Sequence, residues 1–320
     1  MTFLRPFSPC CLNMAKAPSK KRTAKKSTAP VVAATTGTLT HFITEVTKYA
    51  ETKTGFKCYR GQRDWSWESI PGLFRPDLGK LEENEKRATR DLIAVHPHEF
   101  ATDDTMFDRL VRMQHFGLPT RLMDVSLNPL VALYFATDPG PEGKASDGTV
   151  SAFAIPEGRE KYYDSDSVSC LANLANMTKA EKDQIVQIRE SRLRGAKRED
   201  EIKRINGEPA YQRLHQFIRV EKPYFLPIID PVDLFKPYYV HPKMSNRRIL
   251  SQAGGFIIHG LKPPRNIRFS QVIEETRFII PEGAKGDLRK ALELLGITES
   301  NLFPEIDKAA NRIKASYLDR

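Results

Sequence analysis

Met113-Gln114-His115-Phe116-Gly117-Leu118-Pro119-Thr120-Arg121-Leu122-Met123-Asp124 leads through Val125-Ser126 into Leu127-Asn128-Pro129-Leu130-Val131-Ala132-Leu133-Tyr134-Phe135-Ala136-Thr137. Leu110, Met113 and Gln114 lie at helical spacing, and Gly117 with Pro119 stops that helix. Residues 127–137 predict a second, apolar helix with Asn128 as its N-cap and Pro129 in its first turn. Upstream, residues 81–100 read as a further helix. Leu39 to Thr52 reads as another, with Phe42, Val46 and Tyr49 on one face and Gly55 as its stop. Phe56 to Gln62 (FKCYRGQ) and Gly148 to Ile155 (GTVSAFAI) alternate as strands do. Lys179 to Arg204 holds nine basic and six acidic residues and reads as a long helical segment with a solvated face. Pro223–Ile229, Gly255–His259, Ile267–Ile273 and Thr276–Pro281 are short β-rich runs. A helix from Gly286 to Leu295 and one after Pro304 complete the chain. Helices and strands mix without regular βαβ alternation, which predicts an α+β fold in a single mixed helix/strand domain. No repeat of 20 to 50 residues is present.

The chain has 320 residues, 28% of them charged and 40% hydrophobic, so it can bury a sizeable core. Its longest apolar runs fall short of the roughly 18 residues that a membrane-spanning helix needs, so no membrane span is expected. Cys10, Cys11, Cys58 and Cys170 form neither a CxxC pair nor a disulfide framework. That usage predicts a reducing, cytoplasmic setting without a structural metal. Seven of the ten excess positive charges lie in residues 1–44, which hold no Asp or Glu, leaving +3 for the remainder. Residues 1–38 lack apolar periodicity and read as a disordered basic tail, mainly solubilising, with Met14 as an alternative start. Contact of such a tail with nucleic acid is weak and salt-sensitive. The reading divides the rest into a main domain over 39–310, a charged helical insertion near 179–209, and a C-terminal tail at 311–320.

Three segments combine unusual residues: Tyr59-Arg60-Gly61-Gln62 continuing through Trp65, Trp67 and Pro71-Gly72-Leu73-Phe74-Arg75; the stretch from Met113 to Ala136; and Asn246-Arg247-Arg248-Ile249 with Gln252 and Gly254-Gly255-Phe256. In this order they resemble the FRG domain, a family named for a Phe-Arg-Gly signature and known chiefly from bacteria and their mobile elements. The resemblance spans roughly residues 55–310. Tyr59 stands where the signature has Phe, and Val125-Ser126 where the family usually shows Trp-Thr. The family's association with mobile elements implies a role in conflict, such as phage defence or toxicity.

The chemistry of these residues points to an anion. Arg60 offers a planar fork to phosphate at a strand end, with Gly61 allowing close backbone approach and Gln62 beside it. The alternative is that Arg60 pairs with a carboxylate such as Asp124. Gln114 and His115 project from a helix end, His115 as a candidate general acid or base. Thr120, Arg121 and Asp124 crowd hydroxyl, cation and carboxylate together, so two of them are expected to neutralise each other, with Asp124 equally suited to cap the following helix. Arg247 and Gln252 add phosphate-type donors. Trp65 and Trp67 are candidates to stack a base. The GxxxxGK[ST] cradle and a strand-following GxGxxG are absent.

Two functional readings stay open. The first likens the domain to an ADP-ribosyltransferase-like fold, with NAD as substrate, no other cofactor evident, and a carboxylate from Glu274, Glu275 or Glu282 orienting the ribose; Glu275 is the candidate adopted. The second is a non-catalytic module that recognises a nucleotide or another phosphate-bearing ligand. Enzymatic ribosyl chemistry requires a carboxylate free of salt bridges facing Arg60, whereas binding does not. Arg60 and the Gln114-His115 pair are expected in one cleft. The sequence sets no oligomeric state.

Overall fold

A computed structural model describes residues 30–140, 145–190, 197–244, 246–262, 273–304, 310, 314 and 317. Among these, eight strands form one sheet: β1 (Val31–Thr35), β2 (Phe56–Gln62), β3 (Leu122–Ser126), β4 (Gly148–Ile155), β5 (Glu160–Tyr162), β6 (Tyr238–His241), β7 (Gly254–Ile258) and β8 (Glu274–Ile280), in the spatial order β1-β8-β4-β2-β3-β7-β6-β5. Twelve helices accompany them: α1 (Leu39–Thr52), α2 (Gly79–Glu83), α3 (Glu85–Val95), α4 (Met106–His115), α5 (Pro129–Ala136), α6 (Asp166–Asn173), α7 (Lys179–Glu190), α8 (Arg198–Asn206), α9 (Pro209–Glu221), α10 (Arg247–Ser251), α11 (Lys285–Leu294) and α12 (Glu299–Leu302). Pairing is antiparallel except at the two outer pairs, β1 with β8 and β5 with β6. The mixed α+β expectation holds at this level. No helix among the described residues is long and apolar enough to cross a membrane.

The sheet is divided along its middle. β2 pairs with β4 through seven successive residues, yet β2 meets β3 at a single pair, Tyr59 with Ser126. The helix-bearing face is divided in the same place. On one side α1, α5 and α11 cover Tyr59, Val150, Ala152 and Phe278; Phe42 and Tyr49 meet the Phe278 ring edge-on at 6.0 and 6.1 Å. α5 presents apolar side chains all round and is correspondingly buried. On the other side α4, α6 and α9 pack over Leu122, Val240, Phe256 and Ile258. The reverse face carries a smaller core of Cys58, Met123, Val125, Phe153 and Ile257.

Several sequence expectations change. The 1–38 tail reading ends early, because Val31–Thr35 joins the sheet beside β8 and Thr36 is buried; residues 1–29, including Met14, lie outside the described residues. The segment from Lys179 is two helices, α7 and α8, anchored in the core by Lys182, Ile185, Glu201 and Ile205, all buried. A charged surface face hid the few inward residues. Pro223–Ile229 forms no strand: Tyr224, Leu226 and Ile228 are exposed there. The expected strand at 267–273 and the helix after Pro304 fall mostly outside the described residues.

Candidate functional site at the split in the sheet

Where β2 and β3 part, a ladder hydrogen bond is replaced by a side chain. Arg60 Nη1 donates to the backbone carbonyl of Asp124 at 2.6 Å. Its Nε is buried with no hydrogen-bond partner among the described residues. Burial lowers the Arg60 guanidinium from its ordinary value; Asp124 opposes that shift and the like charge of Arg75 adds to it. The group stays cationic under all ordinary conditions. Nearby, burial together with Arg121 and Arg60 pushes His259 down to about 3, so its imidazole is neutral.

The Asp124 carboxylate is exposed, although it sits on a strand in the middle of the sheet. A short relay holds it. The Leu122 N–H donates to Thr120 Oγ1 at 3.2 Å, the Thr120 hydroxyl donates to Gln114 Oε1 at 2.5 Å, and Gln114 Nε2 donates to Asp124 Oδ2 at 2.6 Å. Because the Thr120 oxygen already accepts the backbone proton, its own proton goes to the Gln114 carbonyl, and the amide NH2 is directed at the carboxylate. Among the described residues no cation lies within 4 Å of that carboxylate. The turn at Pro71–Arg75 closes one end of the split, the Leu73 N–H donating to the Thr120 carbonyl at 3.2 Å. Gly117, at φ +88°, lets α4 end sharply enough for Gln114 and Thr120 to meet.

Other candidates are placed differently. Arg121 is fully buried and paired with Glu85, so the expected neutralisation among Thr120, Arg121 and Asp124 does not occur. Asn128 caps α5, its Oδ1 accepting from Leu130 N at 2.9 Å; Asp124 does not. Gly61 faces α5, where an added Cβ would lie 1.8 Å from the Ala132 carbonyl oxygen, so its smallness serves helix packing rather than anion approach. Gln62 is buried beside Ser69. Glu275 is buried, ion-paired with Arg277 at 2.8 Å, and accepts from Ser69 and Ser151, both at 2.8 Å. It is therefore not the free carboxylate that ribosyl chemistry asks for. Glu274 bridges to Lys53, and Glu282 is exposed. Gln252 Nε2 donates to the Leu302 carbonyl at 3.0 Å, tying α10 to α12. Trp67 lies between Arg63 and Arg75, 5.1 and 5.4 Å from its ring centre, while Trp65 is exposed.

Gln114 and His115 diverge. His115 Nδ1 meets Asn246 Nδ2 at 2.9 Å, and His115 lines a separate cavity with Arg247 that Arg60, Gln114 and Asp124 do not line. Arg60 and Gln114 thus both meet Asp124, one at its carbonyl and the other at its carboxylate, while His115 turns to the other cavity. Among the described residues, no group of three or more His, Cys, Asp or Glu is placed to hold a metal ion.

Residues 56–144, which contain β2, the Pro71–Arg75 turn, α4, β3 and α5, match the family described as the FRG domain. The chain carries an FRG domain. Arg60, Gln114, Thr120 and Asp124 all lie within the matched residues, and the FRG match therefore contains the whole relay at the split. The third segment of the resemblance, Asn246 to Phe256, lies outside the match but beside it in space, since β7 pairs with β3 along its full length and Ser126 Oγ donates to the Gln252 carbonyl at 2.7 Å. No curated protein and no solved structure matches the chain.

Proposed function

We propose that the FRG domain binds a ribose-phosphate ligand at the split between β2 and β3 and cleaves the nicotinamide glycosidic bond of NAD there, in the manner of an ADP-ribosyltransferase-like enzyme. The observation that carries this reading is the Asp124 carboxylate, exposed at the centre of the sheet, steered by Gln114 and free of ion pairs among the described residues, beside the Arg60 cation. It meets the requirement that Glu275 fails. Arg60 holds the diphosphate, and Asp124 accepts hydrogen bonds from the ribose hydroxyls and stabilises the oxocarbenium-like charge at C1′. The C1′–N bond breaks with its electron pair going to the nicotinamide nitrogen. Water or an acceptor nucleophile forms the new bond to C1′ and gives up a proton. A role in conflict between bacteria and phage fits an NAD-consuming activity and rests on the family's association alone.

The test is nicotinamide release from NAD by the full chain, with and without cell lysate. Asp124→Asn is expected to lower the rate by about 10²–10³-fold, the usual effect of losing one electrostatic stabiliser. Arg60→Ala is expected to weaken NAD binding about tenfold or more, since hydrogen bonds to charged groups are worth about 1.5–3 kcal/mol. Both variants should unfold as cooperatively as the parent. NAD binding that needs Arg60 but releases no nicotinamide would make the domain a recognition module. Release unchanged in Asp124→Asn would overturn the assignment of the carboxylate.

A further inference from the structure

The cavity beside α4 and α10 has a volume of about 610 Å³, within the range of small-molecule sites. We propose that it is a second binding site, for a small organic phosphate with a flat apolar body. Phe107, Val111 and Ile249 supply an apolar lining. Around them, three carboxylates are already taken by two cations: Arg112 holds Asp103 through two hydrogen bonds of 2.8 Å, and Lys243 holds Asp104 and Asp108 at 2.9 and 3.0 Å. Arg247 and Arg248 also line the cavity. Arg248 lies over the Phe303 ring at 4.9 Å. Arg247 is exposed and makes no ion pair or side-chain hydrogen bond among the described residues, which leaves its fork available to a phosphate.

Asn246 adds a defined donor pattern. Its Oδ1 caps α10 by accepting from Arg248 N at 2.8 Å, so its Nδ2 donates to His115 Nδ1. That contact fixes the orientation of the His115 ring in the cavity wall.

The test titrates the full chain, and its Arg60→Ala variant, with AMP and with inorganic phosphate by calorimetry, and maps AMP by hydrogen exchange. AMP is expected to bind the Arg60→Ala protein more tightly than phosphate does, because the ring adds apolar burial, and to slow exchange in 106–115 and 247–251. Arg247→Ala should weaken AMP about tenfold or more while leaving nicotinamide release unchanged, and Val111→Trp, which fills the apolar lining, should abolish AMP binding. AMP binding that is lost in Arg60→Ala, or insensitive to both Arg247→Ala and Val111→Trp, or absent altogether, would overturn the proposal without touching the reading of the split.

Discussion

Glu85→Gln is expected to destabilise the protein by about 3–5 kcal/mol, the cost of removing one partner from a buried ionic cluster. Glu85 opens α3 and receives Arg121 Nε at 2.9 Å, Arg121 Nη2 at 2.5 Å and Lys182 Nζ at 2.6 Å. Arg121 Nη1 donates further to the carbonyls of His259 and Gly260. One carboxylate thus joins α3, the entry to β3 and α7, and all three side chains are buried. The amide of Gln keeps the shape but leaves two buried cations with no counter-charge between them. Replacing all three residues by Leu or Met of similar volume should recover most of the loss, since a well-packed apolar cluster often equals a buried ionic one. Burial by itself would raise the Glu85 carboxyl, but the charges and hydrogen bonds of Arg121 and Lys182 outweigh it and hold it below its ordinary value. The group therefore stabilises the fold above its unfolded pKa of about 4.3, and this contribution is lost as pH falls through the lower folded value. Urea unfolding should show the parent and Glu85→Gln far apart at pH 7 and converging in acid. A difference below about 1 kcal/mol at pH 7 would mean that the cluster does not bind α7 to the core. Limited proteolysis gives a second view: α7 and α8 should become early cleavage sites in the variant.

That cluster marks the boundary of what the sequence discloses. The strand over Phe56–Gln62, the helix after Asn128 and the strand over Gly148–Ile155 are legible because each carries its own signal, an alternation of two or a capped apolar run. Arg60, Gln114, Thr120 and Asp124 stand out as chemistry, yet their meeting depends on β2 lying beside β3, whose five residues LMDVS alternate too briefly to announce a strand. A buried charge is harder still to see. Lys182 sits among nine basic and six acidic residues and differs from them only in having Glu85 within reach, a partner 97 residues away in sequence. Glu275 illustrates the converse: a carboxylate in a late strand looks available until Arg277, two residues on along the same face, is seen to occupy it. Periodicity records which face a residue takes, whereas the occupancy of a charge depends on contacts that no local pattern encodes.

Gly61→Ala carries the other large effect, and it separates the two halves of the Arg-Gly pair. The new Cβ would stand 1.8 Å from the Ala132 oxygen and 2.8 Å from both Ala132 C and Ala136 N. All three are backbone atoms of a buried helix, so no side chain can rotate away and α5 itself must move. Overpacking of this kind costs about 3 kcal/mol at the upper end of its usual range, which for a chain of this size lowers Tm by roughly 4–5 °C. Gly286→Ala is the matched control: its Cβ meets nothing within 4 Å near the start of α11, and the change should be neutral or stabilising by about 0.4–1 kcal/mol. Displacing α5 also disturbs β2 at the point where Arg60 turns toward Asp124, so nicotinamide release should fall together with Tm. Arg60→Ala should behave differently, losing function while Tm moves far less, because it deletes a donor at the split and leaves the seat of α5 intact. If Gly61→Ala retained the parental Tm, α5 would not rest on β2 as described, and the neighbouring Arg60 would lose the fixed strand end that gives its guanidinium a defined position.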